Sequence, residues 1–350
     1  MRMETYKAEY SKLLKPDIVL LLSKIREQKG WHTMLMRWKE EYFDSLTMTA
    51  KQNSVEAFAR MSDIRTSESR MKKIIWDKTI PKETDERKIA GYRDTLNRIQ
   101  KSYRYLSLSV PEIHQLYQDL NRYNGMAVNR RFRSSEIPSF NEGSNPVTGY
   151  AAPPAKEIPA AIENMCTFYA AAVNDPEVDE LLLIPVVMVD FQCIQPFEIG
   201  NESMSILIMQ LLLLQAGFTV GKYISFDQLL ADTKTEYDQA LLESCAGWSD
   251  GHNDYLPFVK YILTIILKAY REFAEKAEIL ALQHTSKPDR VYSVIKEKTG
   301  RITKSEIMEK CPDISQITVQ RTLADLLSNG SISKIGGGRY TSYVWNGEGK

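Results

Sequence analysis

The sequence predicts a mainly α protein, a helical core followed by a small α+β domain, and three observations carry that reading. The first is a pair of strongly apolar stretches of helical length, Leu181 to Ile194 and Ser205 to Phe218, separated by a short run containing Pro196 and Gly200. The second is helical spacing of apolar residues through the chain up to about residue 105. The third is a C-terminal succession of three short helices and a hairpin carrying the triple Gly336-Gly337-Gly338.

Residues 1–105 read as an N-terminal helical region. Trp31, Met34, Leu35 and Trp38 fall on one stripe, and Lys78-Thr79-Ile80-Pro81-Lys82 is a polar break. Residues 106–280 form the expected core, opened by Ser109-Val110-Pro111-Glu112, which has the Ser and Pro of a helix start. Pro138, Asn141, Gly143, Asn145 and Pro146 predict a loop. The apolar pair follows, its second member stopped by Gly217. Residues 281–288 read as a linker. In 289–350 the pattern predicts helices over 290–299, 305–310 and 317–328, then strands around 330–335 and 339–345. That order resembles a winged-helix domain.

Composition narrows the function classes. The chain has 350 residues, enough for two or three domains, and its 45 basic and 45 acidic residues cancel. Overall charge therefore gives no support to a strongly electrostatic binder of nucleic acid or membrane. Cys166, Cys193, Cys245 and Cys311 are scattered, without zinc-site spacing or disulfide density, which fits a reduced cytoplasmic protein. His32, His114, His252 and His284 are equally dispersed, so structural roles are expected and no metal site is assigned. The early run Ile18 to Leu22 is too short for a signal or a membrane span.

The run Ile194-Gln195-Pro196-Phe197-Glu198-Ile199-Gly200-Asn201-Glu202-Ser203 is the most informative segment. It resembles the signature loop of the Fic (Fido-fold) family, His-Pro-Phe-x-(Asp/Glu)-Gly-Asn-Gly-Arg-x-x-Arg. Pro196, Phe197, Gly200 and Asn201 fit, four of nine defined positions. The surrounding apolar helices agree, and Phe132-Arg133 with Tyr150-Ala151-Ala152-Pro153-Pro154 resembles the family's β-hairpin flap. The resemblance implies a Fido-type helical core with that flap, and ATP-dependent AMP transfer to a target hydroxyl.

The departures fall on the positions that carry this chemistry. Gln195 stands at the family His, and an amide can orient a hydroxyl but cannot take its proton; losing a general base lowers a rate by roughly 10²–10⁴-fold. Ile199 replaces the acidic ligand of Mg²⁺, which needs oxygen donors. Glu198 is adjacent, but one residue of helical shift turns it roughly 100° away. Gly200 and Asn201 keep half of an anion cradle at a helix N-terminus, whereas Glu202 puts a carboxylate there. Glu202 also reads simply as a first-turn acidic residue. Ser203 and Ile206 replace both Arg positions.

The stretch Glu56 to Thr66 resembles the family's inhibitory helix, with Met61, Arg65 and Thr66 at its key places. A reversed pair between Arg65 and Glu202, closing the phosphate site, is weighed against a solvated Arg65.

The resulting expectation is a cytoplasmic Fic-like regulatory or binding module for a protein partner, with AMP transfer lost or strongly reduced. No catalytic residue is assigned; Pro196, Phe197, Gly200, Asn201 and Glu202 are the remnant nucleotide-binding loop. One alternative is residual or altered nucleotidyl transfer, with ATP or another phosphorylated cosubstrate and Mg²⁺. Another is a winged-helix DNA-binding regulator reading bases through the third helix, with Gln316, Thr318, Gln320 and Arg321, and touching backbone with Lys334 and Arg339. Ser315 and Thr322 also offer hydroxyls there. From Pro288 onward 10 Lys or Arg stand against 7 Asp or Glu, a net of +3, mild for a DNA binder, so protein contact or dimerisation stays equally open.

Overall fold

The computed structural model describes residues 6–39, 43–77, 79–124, 131–136, 152–284 and 286–346, with the side chains of 37–39, 281–284 and 339 excepted. The chain divides into two compact units, Met1–Glu275 and Lys276–Lys350. The flap-like stretch from Pro138 to Tyr150 lies outside the described residues.

The first unit is helical: α1 (Tyr6–Leu13), α2 (Pro16–Lys39), α3 (Asp44–Met61), α4 (Glu68–Trp76), α5 (Thr84–Ser102), α6 (Val110–Leu120), α7 (Ile158–Val173), α8 (Glu180–Ile194), α9 (Asn201–Gln215), α10 (Phe226–Asp232) and α11 (Lys234–Cys245). Residues up to 275 of α12 (Leu256–His284) complete it. At its centre α8 packs on α9. Every residue of α8 from Leu181 to Ile194 is buried, as is α9 from Met204 to Leu214. A helix apolar on all sides has no solvent face to offer and is enclosed by its neighbours.

The N-terminal helices belong to this same unit: α1 packs on α7 and α8, and α3 on α10 and α5. Among the described side chains of α2 the fully buried positions are Ile18, Ile25 and His32, spaced by seven; of the expected stripe Trp31 and Met34 are 39% and 50% exposed, Leu35 is half-buried, and Trp38 lies outside the described side chains. The structure also corrects the reading of Glu56 to Thr66 as one helix. α3 stops at Met61 in a Schellman turn, with Asp63 in the left-handed region (φ 49°), Ile64 N–H donating to Ala59 O at 2.8 Å and Asp63 N–H to Arg60 O at 3.3 Å.

Two close fits set the core. Gly91 on α5 lies against the end of α6, where an added Cβ would come within 2.0 Å of Leu120 O. The buried carboxylate Asp227 accepts from Tyr92 Oη and, at 3.1 Å, from Gln210 Nε2, linking α5, α9 and α10. The α6 start follows expectation, Ser109 Oγ accepting from Glu112 N–H at 3.4 Å. Among the described residues no helix is long and apolar enough to cross a membrane.

The second unit contains α13 (Lys287–Glu297), β1 (Arg301–Thr303), α14 (Lys304–Lys310), α15 (Gln316–Ser328), β2 (Ile332–Ile335) and β3 (Ser342–Trp345). Its antiparallel sheet runs β1-β3-β2, with Ile302 opposite Tyr343 and Lys334 opposite the same residue from the other side. Three residues are too few for alternation to register, so β1 is absent from the sequence reading. Thr303 and Glu306 form a capping box that starts α14. Val291, Ile295, Ile302, Val319 and Leu323 share its own apolar core. After β2, Gly336 takes φ 79°, and a Cβ there would approach Tyr340 O to 2.6 Å.

Candidate functional site

The loop 195–200 leaves α8 and enters α9 through two left-handed residues. Gln195 has φ 45° and ψ 64° and keeps its N–H bonded to Phe191 O at 3.0 Å. Gly200 at φ 79° turns the chain into α9, a conformation glycine adopts without a Cβ clash. Between them Phe197 is fully buried and lies flat on Tyr117, ring centroids 3.6 Å apart and 6° from parallel. The Asn201 side chain closes the turn on the Phe197 backbone: Oδ1 accepts from Phe197 N–H at 3.0 Å and Nδ2 donates to Phe197 O at 2.7 Å. Tyr117 Oη donates to Ile199 O at 3.1 Å.

Arg133 ties the segments around Ser135 and Pro153 to this loop. Its side chain is buried, and its backbone N–H donates to Pro196 O at 2.8 Å. The guanidinium donates to Gln195 O (2.9 Å), Ser135 O (2.9 Å) and Pro153 O (2.6 Å). Every one of these partners is a backbone carbonyl, so a sequence cannot display them; Arg133 stands out there only beside Phe132. Next to the clamp is an open cavity of ≈ 480 Å³ lined by His114, Phe132, Lys156 and Pro159 among others.

Of the positions that depart from the signature, those in the loop itself are less enclosed than Phe197. Gln195 is half-buried and uncharged; Glu198 and Ile199 are exposed. Glu202, on the first turn of α9, has Lys234 Nζ 3.1 Å from its Oε1, and Lys234 also pairs with Asp238. Burial raises the Glu202 carboxyl above its ordinary range, with Lys234 pulling it back. Burial alone would lower the Lys234 ammonium, but Glu202 and Asp238 outweigh it and raise it. The considered Arg65–Glu202 pair is not formed. Arg65 follows the Schellman turn, is largely exposed, and has Asp63 3.8 Å away. Lys234 at the start of α11 is the cation at Glu202, a partner contributed by a distant segment.

Ile206 is buried in the α8–α9 core and Ser203 is uncharged, so no guanidinium stands at either Arg position of the pattern. Ile199 has no side-chain oxygen, and among the described residues no group of three His, Cys, Asp or Glu could hold a metal ion. The donor set does not fit the Mg²⁺ that the resemblance implies.

With this geometry in view, the comparisons are specific. The Fic/DOC family model matches residues 107–213, from just before α6 to the last turn of α9. Residues 107–213 are a Fic/DOC-family domain. The chain is similar in fold to a Fic family protein from Desulfovibrio desulfuricans G20, at 18% identity and a TM-score of 0.59, covering 96% of this chain and 98% of that one. It is similar to a Fic domain containing signaling protein from Bacteroides thetaiotaomicron VPI-5482 at 16% identity, TM-score 0.58, with 75% and 96% covered. Fic-1 from C. elegans aligns at 15% identity and a TM-score of 0.56, over 77% and 75%. No curated protein sequence matches the chain. The fold is thus the mainly α Fido type.

Outside the Fic domain, α15 carries the other candidates. Gln316, Gln320 and Arg321 are exposed, and Thr318 is half-buried. Ser315 instead caps the helix, accepting from Thr318 N–H at 3.3 Å, and Thr322 is buried and bonded to Thr318 O at 2.9 Å, so both hydroxyls are engaged within α15. Lys334 is exposed on β2, and Arg339 lies in the turn Gly338–Tyr340.

Proposed function

We propose that this chain is a Fic-like regulatory or binding module whose AMP transfer is lost or strongly reduced. The observation that carries the reading is the Glu202–Lys234 pair at the entrance of α9. In this loop the N-terminus of α9 faces a carboxylate already held by its own cation, where a phosphate would require free donors and positive charge. Gln195 supplies no base, and Ile199 no metal ligand. The matching residues have sufficient packing reasons to be there: Phe197 fills the core beside Tyr117, and Asn201 closes the turn.

Calorimetric titration of the full chain with ATP, with and without Mg²⁺, tests this. No heat of binding is expected, and incubation with labelled ATP should leave candidate proteins unlabelled. Micromolar binding by the unaltered chain would sink the proposal and revive the residual-transferase alternative. The triple variant Gln195→His, Ile199→Asp, Glu202→Gly then serves as the positive arm, restoring three positions of the pattern at once.

A second reading, that residues 289–350 act as a winged-helix DNA-binding domain, draws support from the order α13-β1-α14-α15-β2-β3 and from exposed Gln316, Gln320, Arg321 and Lys334. Gel-shift measurements with genomic fragments over a range of salt should retain selected fragments if it holds. Uniform, salt-sensitive retention would show only generic phosphate attraction and sink this reading, and no retention would favour protein contact or dimerisation.

A further inference from the structure

Three segments of the helical unit carry cations and no carboxylate. Residues 45–55 on α3 include Lys51, residues 95–111 include Arg98, Lys101 and Arg104, and residues 203–226 include Lys222, and none of the three segments contains Asp or Glu. The unit as a whole is nevertheless acidic: residues 1–275 hold 33 Lys or Arg against 37 Asp or Glu, a net of −4.

The fold brings these segments together. α3 packs on α5 and on the short turn Thr219–Lys222, and the turn Tyr103–Tyr105 that follows α5 packs on α9. Lys222 Nζ lies 4.9 Å from the centroid of the Tyr103 ring, and Arg104 Nε donates to Tyr103 Oη at 3.2 Å. Gln215 on α9 holds this turn, its Nε2 donating to Tyr103 O at 3.0 Å and to Leu106 O at 2.6 Å. Lys51 and Lys222 are half-buried, and Lys101 is exposed. The Lys51 ammonium is held below its ordinary range, first by burial and then by repulsion from Lys101 and Lys222. Among the described residues no carboxylate forms an ion pair with Lys51, Lys101, Lys222 or Arg104.

Cations gathered at one place repel one another, and an anion brought among them turns that repulsion into attraction. A nucleic acid or an anionic membrane is long compared with the Debye length of about 8 Å and meets the net negative field of the whole unit. A short acidic peptide meets the cluster alone. The rim of the cluster has the residue types that anchor protein contacts, since Arg104 is exposed and Tyr105 is 88% exposed.

We propose that Lys51, Lys101 and Lys222, with Arg104 and Tyr105 beside them, form a docking patch for a short acidic segment of a partner protein, whose Asp or Glu side chains supply the counter-charge. Such a patch rests on the reading of this chain as a binding module and gives that module a partner of stated chemistry. It does not depend on loss of AMP transfer: the ATP titration tests that loss, and the peptide measurement is made without nucleotide, so either can fail alone.

The test titrates the full chain into fluorescein-labelled hexaglutamate at low salt and reads fluorescence anisotropy. Binding should be saturable and should weaken as salt is raised. Lys51→Gln and Lys222→Gln should each weaken it about threefold, and the two together about tenfold. Lys101→Gln, at an exposed side chain, should weaken it by about the same factor as either single variant and decides if the half-buried pair does not fold. Lys334→Gln, which removes one charge from the other compact unit, should leave binding unchanged. The proposal is overturned if hexaglutamate does not bind, or if the lysine variants of the patch lose no more affinity than Lys334→Gln. It is equally overturned if labelled hexathymidylate binds as tightly and responds to the same variants, which would mark a general polyanion site.

Discussion

Phe197 and Ile199 lie two residues apart in one loop, yet one is fully buried against Tyr117 and the other is 51% exposed. Asn201 and Glu202 are adjacent, yet the first bonds the loop's own backbone and the second reaches an ammonium on α11. Phe197 and Asn201, which match the family pattern, fold the loop, whereas Gln195, Ile199 and Glu202, which depart from it, lie half-buried or exposed; Ile206 departs too, but it fills the core between α8 and α9. Packing and hydrogen bonding to backbone in this loop are satisfied by different side chains from those at positions 195, 199 and 202, so the two sets can vary separately.

The largest effect should come from the folding side. Phe197→Ala removes a fully buried ring and should cost about 3–5 kcal/mol, read by urea unfolding; a loss within experimental error would mean that the loop repacks and the division is illusory. Asn201→Ala deletes both closing bonds and should cost about 2 kcal/mol while leaving the Phe197 N–H and carbonyl to find water.

Acid sharpens the same contrast from elsewhere in the core. His32 is buried among Tyr223, Tyr270 and Phe273, and burial lowers its pKa to about 4. Between that value and the ordinary ~6.5 the unfolded chain binds the proton and the folded chain does not, so stability is full above this window and falls as pH drops through it. From pH 7 to pH 5 the loss should be about 2 kcal/mol. His32→Leu should flatten this slope, whereas Asn201→Ala should lower stability at every pH without changing it.

Smaller effects belong to the outer side. Lys234→Ala leaves Glu202 without its cation and should cost about 1 kcal/mol, since both side chains are about one-third exposed and partly screened. Ile199→Asp should change stability by less than about 0.5 kcal/mol. A destabilisation by Ile199→Asp as large as that of Asn201→Ala would erase the distinction between the two sides.

Much of the fold is legible in the chain itself. The two apolar stretches 181–194 and 205–218 have no polar face and so had to be enclosed helices, and Ser109 with Pro111 announced the start of α6. On α2 the pattern misled, because Trp31 and Met34 are apolar in type yet flank the face that His32 buries. At Glu56 to Thr66 the spacing continued past the point where Asp63 turned left-handed and ended α3.

The sequence by itself determined the helical class and that residues 195, 199, 203 and 206 carry no imidazole, carboxylate or guanidinium, because these depend on which side chains exist. Only the tertiary structure decided that Lys234 rather than Arg65 meets Glu202, that Arg133 fastens the loop through carbonyls, and that Tyr6, Trp248 and Tyr255 converge on Asp190. Those contacts join segments far apart in the chain, and their partners are chosen by how the helices pack, which no local spacing encodes.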